Sequence, residues 1–178
     1  MRVMRTLSCP VCTLEPLLEA HAHEMFELLN DAALYALEGA PPASVAHLAS
    51  VYRRLEHRRS DDGNETWLNW VLRLPSGEAA GYVQATVLPQ GLAYVAYAVG
   101  SRHWRRGLGS AAVALMIDEL VSAWGVQRVA AVLKARNLAS LRLLQRLGFE
   151  PDASAAPAGY EPEDDEIALT RPAARPPR

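Results

Sequence analysis

The chain has 178 residues, half of them hydrophobic and 21% charged, with a formal net charge of −2. That size and apolar content suffice for one domain with its own core, and the near-neutral charge offers no electrostatic case for a nucleic-acid partner. No apolar run approaches the roughly 18 residues needed to span a bilayer, and the stretch after Met1-Arg2-Val3-Met4-Arg5 is too short for a secretory signal, so a cytoplasmic protein without a membrane partner is expected.

Along the chain, helical and strand periodicities alternate. Residues 10–15 read as a first strand. Leu18, Ala22, Met25 and Leu29 recur at helical spacing and predict an amphipathic helix over 17–29. Gly39-Ala40-Pro41-Pro42 breaks the chain, and Ser44 is placed to N-cap a second helix striped by Val45, Leu48, Tyr52 and Leu55. After the loop Ser60-Asp61-Asp62-Gly63-Asn64, strands are expected at 66–74, 79–88 and 92–99. The turns between them are so short that neighbours must be antiparallel. A long helix over 108–124 then crosses to a strand at 127–133, which makes that strand parallel to 92–99. A short helix from Ser140 to Leu147 ends at Gly148, a residue suited to the left-handed position that closes a helix. Residues 152–163 read as a loop, 165–170 as the last strand and 171–178 as a frayed tail. One domain over residues 1–170 accounts for all of this, with neither internal repeat nor second domain.

The stretch Trp104-Arg105-Arg106-Gly107-Leu108-Gly109-Ser110 carries the clearest chemistry. A strand that ends in arginines and glycines and then opens a helix is suited to phosphate. Glycines let the backbone approach a ligand, and the N–H groups of a first helical turn have no partner within the helix. The helix dipole and the arginines add positive charge. Gly107-Leu108-Gly109-Ser110-Ala111-Ala112 also satisfies the dinucleotide pattern G-x-G-x-x-G/A. That pattern needs an acidic residue about 20 positions on, whereas here the next strand leads into Lys134, so nicotinamide binding is the weaker reading. No Gly-Lys-Ser/Thr follows, which excludes the phosphate loop of nucleotide hydrolases.

Beyond the next strand comes Asn137-Leu138-Ala139-Ser140, running on to Leu147-Gly148-Phe149. In this order the two segments resemble the GNAT family of acetyl-CoA-dependent N-acetyltransferases. The first matches that family's pyrophosphate motif, Gln/Arg-x-x-Gly-x-Gly/Ala, and the second the Asn-x-x-Ser run after its fifth strand. Trp104 stands where Gln or Arg is usual. With the stretch from Tyr97, that tryptophan looks like the RimJ/RimL-type branch, whose members acetylate protein N-termini or small amines. The opening Thr13-Leu14-Glu15-Pro16-Leu17 and Leu28-Leu29-Asn30-Asp31 fit the same branch.

The resemblance spans residues 10–170. It implies an α/β (mixed α+β) fold whose central sheet is mixed, mostly antiparallel, of about seven strands flanked by about four helices. It also implies a co-substrate, acetyl-CoA, an amine acceptor (a protein N-terminus or a small molecule) and, as in similar proteins, a possible homodimer. By the same resemblance the pantetheine arm would pair with Tyr97, Ala98 and Val99, where a backbone N–H would serve the oxyanion. Arg105, Arg106, Gly107, Leu108, Gly109 and Ser110 would hold the pyrophosphate, and Asn137 would bond the pantetheine. Many relatives carry a tyrosine four residues before the glycine of Leu-Gly-Phe. That position is Leu144 here, which leaves Ser140 as the candidate general acid, unless Ser140 merely caps the helix beginning there. The missing tyrosine keeps open a non-catalytic acyl-CoA sensor.

No general base stands out. Glu38, His47, Glu56, His57 and Glu65 belong to segments expected to wall the acceptor pocket, and a water relay is equally open. Tyr94 and Tyr97 are read as lying on one strand face, either of them a residue for the acceptor or for the core. Trp67, Trp70 and Trp124 read as core or pocket wall. Arg53, Arg54, Arg58 and Arg59 read as a solvated cationic helix end, with an anionic acceptor nearby as the alternative. His103 reads as an exposed loop residue, or one that stacks on the cofactor. Cys9-Pro10-Val11-Cys12 has the spacing of a redox pair or half a zinc site. With no second cysteine pair and scattered histidines, it reads first as the lead-in to a strand, and no metal is expected.

Overall fold

The structure is a computed structural model and describes residues 3–37, 39–157, 163 and 165–173. Its strands are β1 (Leu7–Cys9), β2 (Cys12–Pro16), β3 (Thr66–Arg73), β4 (Ala79–Val87), β5 (Leu92–Val99), β6 (Arg128–Lys134), β7 (Glu150–Pro151) and β8 (Glu166–Pro172). They form one sheet in the order β1-β2-β3-β4-β5-β6-β8-β7, in which β5 and β6 are the parallel pair and the others are antiparallel. The helices are α1 (Ala22–Leu29), α2 (Val45–Glu56), α3 (Leu108–Trp124) and α4 (Leu138–Arg146).

Eight strands therefore stand among the described residues where about seven were expected. The additions are too short to show a period: β1 has three residues and β7 two. β1 exists because Pro10 and Val11 form the turn of a hairpin, with Cys9 directly opposite Cys12. The strand expected over 10–15 accordingly starts only at Cys12. The helix expected over 17–29 opens as a single 3₁₀ turn, Glu19–His21, and is α-helical only from Ala22. The last strand continues through Pro172, so Arg171 and Pro172 pair with Val129 and Arg128 rather than fraying. Residues 174–178 lie outside the described residues.

Two layers of helix flank the sheet. α3 lies on one face, where Leu14, Leu68, Trp70, Leu72, Met116 and Leu120 are fully buried. Burial of one such aliphatic chain contributes roughly 1.5–3 kcal/mol. α3 reads as apolar on most of its circumference because α4 and the β1–β2 hairpin also cover it. Gly125, at φ 70°, stops it in the left-handed conformation that few other residues tolerate. On the opposite face α1 and α2 cover β3 and β4 through Met25, Leu48 and Tyr52 against Val71 and Ala79. Beyond β4, among the described residues, a segment around the buried Ala155 covers that face, packing near Leu92 and Ala130.

At Gly81, opposite Val99, β4 and β5 approach too closely for a side chain. A Cβ built there would stand 2.1 Å from the carbonyl oxygen of Ala98, a backbone atom that cannot swing aside. Gly81→Ala is expected to lower unfolding stability by about 3 kcal/mol, read as a fall in the urea midpoint. An unchanged midpoint would mean that β4 and β5 do not approach this closely.

Candidate functional site

The sheet opens between β5 and β6. Their parallel ladder runs through Leu92–Arg128, Ala93–Val129 and Tyr94–Ala130 and ends there, while β5 stays paired with β4 through Val99 and β6 with β8 through Lys134. The two strands diverge from Tyr94 onward. In an antiparallel ladder alternate residues turn their backbone groups to the same neighbour. Leu88 N–H donates to Leu92 O and Gly100 N–H to Ala80 O, so even-numbered residues of β5 bond to β4. Tyr97 and Val99 consequently turn their backbone groups into the opening, whereas Ala98 is committed to Tyr82. On the far wall, Ala135 N–H donates to Asp165 O and Ala173 N–H to Gln127 O, which turns the backbone of Val132 and Lys134 toward the opening.

At the mouth lies the glycine turn. Arg105, at φ 62°, and Gly107, at φ 76°, both hold positive φ, which costs a non-glycine residue energy and clusters at functional sites. Gly107 is the N-cap of α3 and brings no capping side chain. The first N–H to find a helical partner is that of Ala111, on Gly107 O. The N–H groups before it therefore face outward with the dipole of a 17-residue helix behind them. A Cβ on Gly107 would touch nothing within 4 Å, whereas one on Gly109 would meet Leu143 at 2.9 Å and Val99 at 3.7 Å. Gly107 thus leaves space for a ligand, and Gly109 lets the first turn of α3 seat against α4 and β5. Arg105 and Arg106 are exposed beside this turn, Ser110 is half-buried and the Leu108 side chain is in the core, so Leu108 can offer only its backbone. The donor set fits a diphosphate.

Trp104 has a definite task here. Its indole N–H donates to Val99 O at 2.6 Å while the ring remains 49% exposed. The last carbonyl of β5 that faces the opening is thereby occupied.

α4 forms the other side of the mouth. Asn137, not Ser140, is its N-cap: Asn137 Oδ1 accepts from Ser140 N–H at 3.1 Å, and the helix starts at Leu138. The reading of Ser140 as a mere cap is corrected, because that residue sits inside the first turn. The phenol of Tyr97 reaches the Ser140 carbonyl at 3.4 Å. Burial pushes that phenol above its ordinary pKa, so it is neutral near pH 7. Leu144 is fully buried beneath.

The expectation that Tyr94 and Tyr97 share a face is corrected: three residues apart on β5, they point to opposite sides of the sheet. Tyr97 packs on the α3 side, and Tyr94 lines a cavity of about 260 Å³ on the other face with Gln84, Thr86, Ala96, Val132 and Glu166. The cavity and the glycine turn thus meet the strand opening from opposite sides. Glu166 is its carboxylate, with 8% of the side chain exposed and Lys134 Nζ 3.5 Å away. Sequence pattern placed Glu166 only in a strand, since its pairing across to β6 leaves no local signal.

Of the residues put forward as bases, the four that are described do not line this cavity. Glu56 accepts from Glu19 N–H, Glu65 accepts from the Trp67 indole, His47 and His57 are exposed on α2 and at its end, and Glu38 lies outside the described residues. The arginines in and just after α2 are not a bare cationic surface: Arg53 pairs with Glu19, Arg54 lies 5.2 Å over the Trp67 ring and Arg58 donates to Leu17 O. Trp70 is core. His103 is buried at 5%, not an exposed loop residue, and its Nε2 accepts from Arg102 at 3.1 Å.

The sequence model of the acetyltransferase (GNAT) domain family matches residues 12–150. The uncharacterized N-acetyltransferase YoaA of Bacillus subtilis is 35% identical over 60 residues, a match that spans 34% of this chain and 34% of that protein. Among solved structures, a RimL ribosomal L7/L12 alpha-N-protein acetyltransferase in complex with coenzyme A superposes with a TM-score of 0.78 at 14% identity, over 94% of this chain and 98% of that one. Mycobacterium smegmatis RimJ in complex with CoA-disulfide gives 0.76 at 21% identity, over 94% and 87% of the two chains. At such identities the likeness is one of fold.

The capping geometry separates two neighbouring side chains. Asn137→Ala is expected to cost about 1 kcal/mol of stability by uncapping α4, and Ser140→Ala to stay within about 0.5 kcal/mol of the parent. Thermal unfolding of both variants checks this, and the reverse ranking would contradict the assignment of the cap.

Proposed function

The chain belongs to the GNAT acetyltransferase family, and from that premise we propose that it moves an acetyl group from acetyl-CoA to a primary amine by direct attack within a ternary complex. The observation that carries this reading is the end of the β5–β6 ladder at Tyr94 with the uncapped glycine turn at its mouth. An extended arm of amides can lie in the opening and bond the outward groups of Tyr97 and of the Val99 N–H. The pyrophosphate at the head of that arm meets the first turn of α3, Arg105 and Arg106. Asn137 is placed to offer its amide nitrogen to the same arm, since its oxygen already serves Ser140.

The acceptor enters from the cavity on the opposite face. There Glu166 is the carboxylate placed to hold an incoming ammonium and to lead its proton away through water. The neutral nitrogen attacks the thioester carbon, and the oxygen that becomes anionic takes a hydrogen bond from a β5 backbone N–H. As the C–S bond breaks, the nitrogen loses its remaining extra proton to water, and the thiolate accepts a proton from the Ser140 hydroxyl, which solvent then replaces. Leu144 cannot take that part, being both apolar and buried. An N-terminal residue or another small amine fits a cavity of about 260 Å³. The RimL relative of the same fold acts on a protein α-amine, which favours protein N-termini within this class.

Acetyl-CoA-dependent release of thiol, followed with mass detection across N-terminal peptides and small amines, tests the reaction. Transfer to at least one amine is expected. Tight binding without transfer to any of them would overturn the enzyme reading in favour of an acyl-CoA sensor. Gly107→Glu places a carboxylate where the pyrophosphate belongs and is expected to weaken acetyl-CoA at least roughly 100-fold while the chain stays folded. Calorimetric titration reads it, and unchanged affinity in a folded variant would contradict the site. Glu166→Gln is expected to raise KM for the amine about tenfold or more with acetyl-CoA affinity unchanged. Equal loss of affinity for both substrates would place Glu166 in the scaffold.

A further inference from the structure

The β1–β2 hairpin brings the chain's two cysteines together at the far edge of the sheet from the acetyl-transfer site. Cys9 and Cys12 are directly opposed across the Pro10-Val11 turn, and their sulfurs are 3.5 Å apart. Both thiols are free. We propose that Cys9 and Cys12 form a reversible dithiol–disulfide site that reacts with low-molecular-weight disulfides, with Cys9 as the attacking thiol and Cys12 as the resolving one. Nothing in the acetyl-transfer chemistry uses either residue.

The roles follow from the asymmetry of the pair. Cys9 is half-buried and reachable, whereas Cys12 is 1% exposed and part of the core beneath α3. At Cys9 burial works to raise the thiol pKa, but hydrogen bonds from the Val11 backbone, the Cys12 thiol and the Cys12 backbone outweigh it, and the net shift is downward. At Cys12 burial, with the Cys9 hydrogen bond and charge, pushes the thiol up to about 12. A reachable thiol favoured as thiolate beside a buried thiol held protonated is the arrangement expected of an attacking and a resolving cysteine.

The step balances without any further reactant. The Cys9 thiolate attacks one sulfur of the small disulfide and displaces its other half as a thiolate. Cys12 then gives up its proton to solvent and attacks Cys9 sulfur, which breaks the mixed disulfide and releases the second small thiol. The protein dithiol is oxidised by two electrons and the small disulfide is reduced to two thiols. The sulfurs must close from 3.5 Å to the roughly 2.0 Å of a disulfide. The cross-strand register already supplies the approach, and a two-residue turn holds the partners together whether or not they are bonded.

A zinc site is the competing use of this spacing. A structural zinc needs four ligands, and among the described residues no group of three or more His, Cys, Asp or Glu side chains is gathered to hold a metal. The pair alone suits sulfur exchange better than zinc.

The test equilibrates the full chain in mixtures of reduced and oxidised glutathione, quenches with acid, alkylates the remaining thiols and weighs the intact protein. The expected result is concerted loss of both thiols, with a product lighter by two hydrogens, reversed by excess reduced glutathione. Cys12→Ser should stop at a stable glutathione adduct on Cys9, and Cys9→Ser should give almost none. Both thiols remaining alkylatable at every ratio would overturn the proposal. So would a persistent glutathione adduct on the wild-type chain, or stoichiometric zinc that co-purifies and shields both sulfurs. The wild-type measurement decides even if a substitution in the core at Cys12 compromises folding.

Discussion

The parting of β5 from β6 is the constraint on which this molecule depends. Backbone N–H and C=O groups inside a sheet must find partners, yet the ladder between these strands stops after Tyr94. The sheet survives because each strand is held on its other side, β5 by β4 over its full length and β6 by β8. The polar edges left between them are then available to a ligand that carries amides of its own. Every other part of the site is arranged around that opening: the glycine turn at its mouth, α4 along its side and the Glu166 cavity on the opposite face.

Small residues set the tolerances. Gly81 lets β4 pair closely with β5 at Ala98 and Val99, where a Cβ would have no room. Gly109 allows α3 to start directly against α4 and Val99. Trp104 closes the end of β5 by donating its indole N–H to Val99 O. The indole therefore both finishes the strand and leaves an exposed aromatic wall beside the glycine turn.

Much of this was legible in the sequence, for identifiable reasons. Long elements with strong periodicity, such as α3 and the strands around Trp70 and Tyr97, follow from their apolar spacing alone. The glycine turn before α3 is legible because helix starts, glycines and arginines are local. The misses are pairings over long distances in the chain. β1 and β7 exist only through their partners, and Asn137 rather than Ser140 caps α4 because the chain turns three residues earlier than the apolar pattern suggests. His103 looked exposed in a polar loop and is buried by packing near Gly100. Glu166 faces the cavity only because β8 pairs with β6 in one register, which a single sequence does not display.

Amide hydrogen exchange at Tyr97 and Val99, measured with and without acetyl-CoA, tests the central claim most directly. Those two N–H groups face the opening and should exchange rapidly in the free protein, then become protected by roughly tenfold or more when the pantetheine arm pairs with the edge of β5. Ala98, already bonded to β4, should change far less. Saturating acetyl-CoA that leaves Tyr97 and Val99 exchanging as before would show that the ligand does not use this edge, and the account built on the opening would fail.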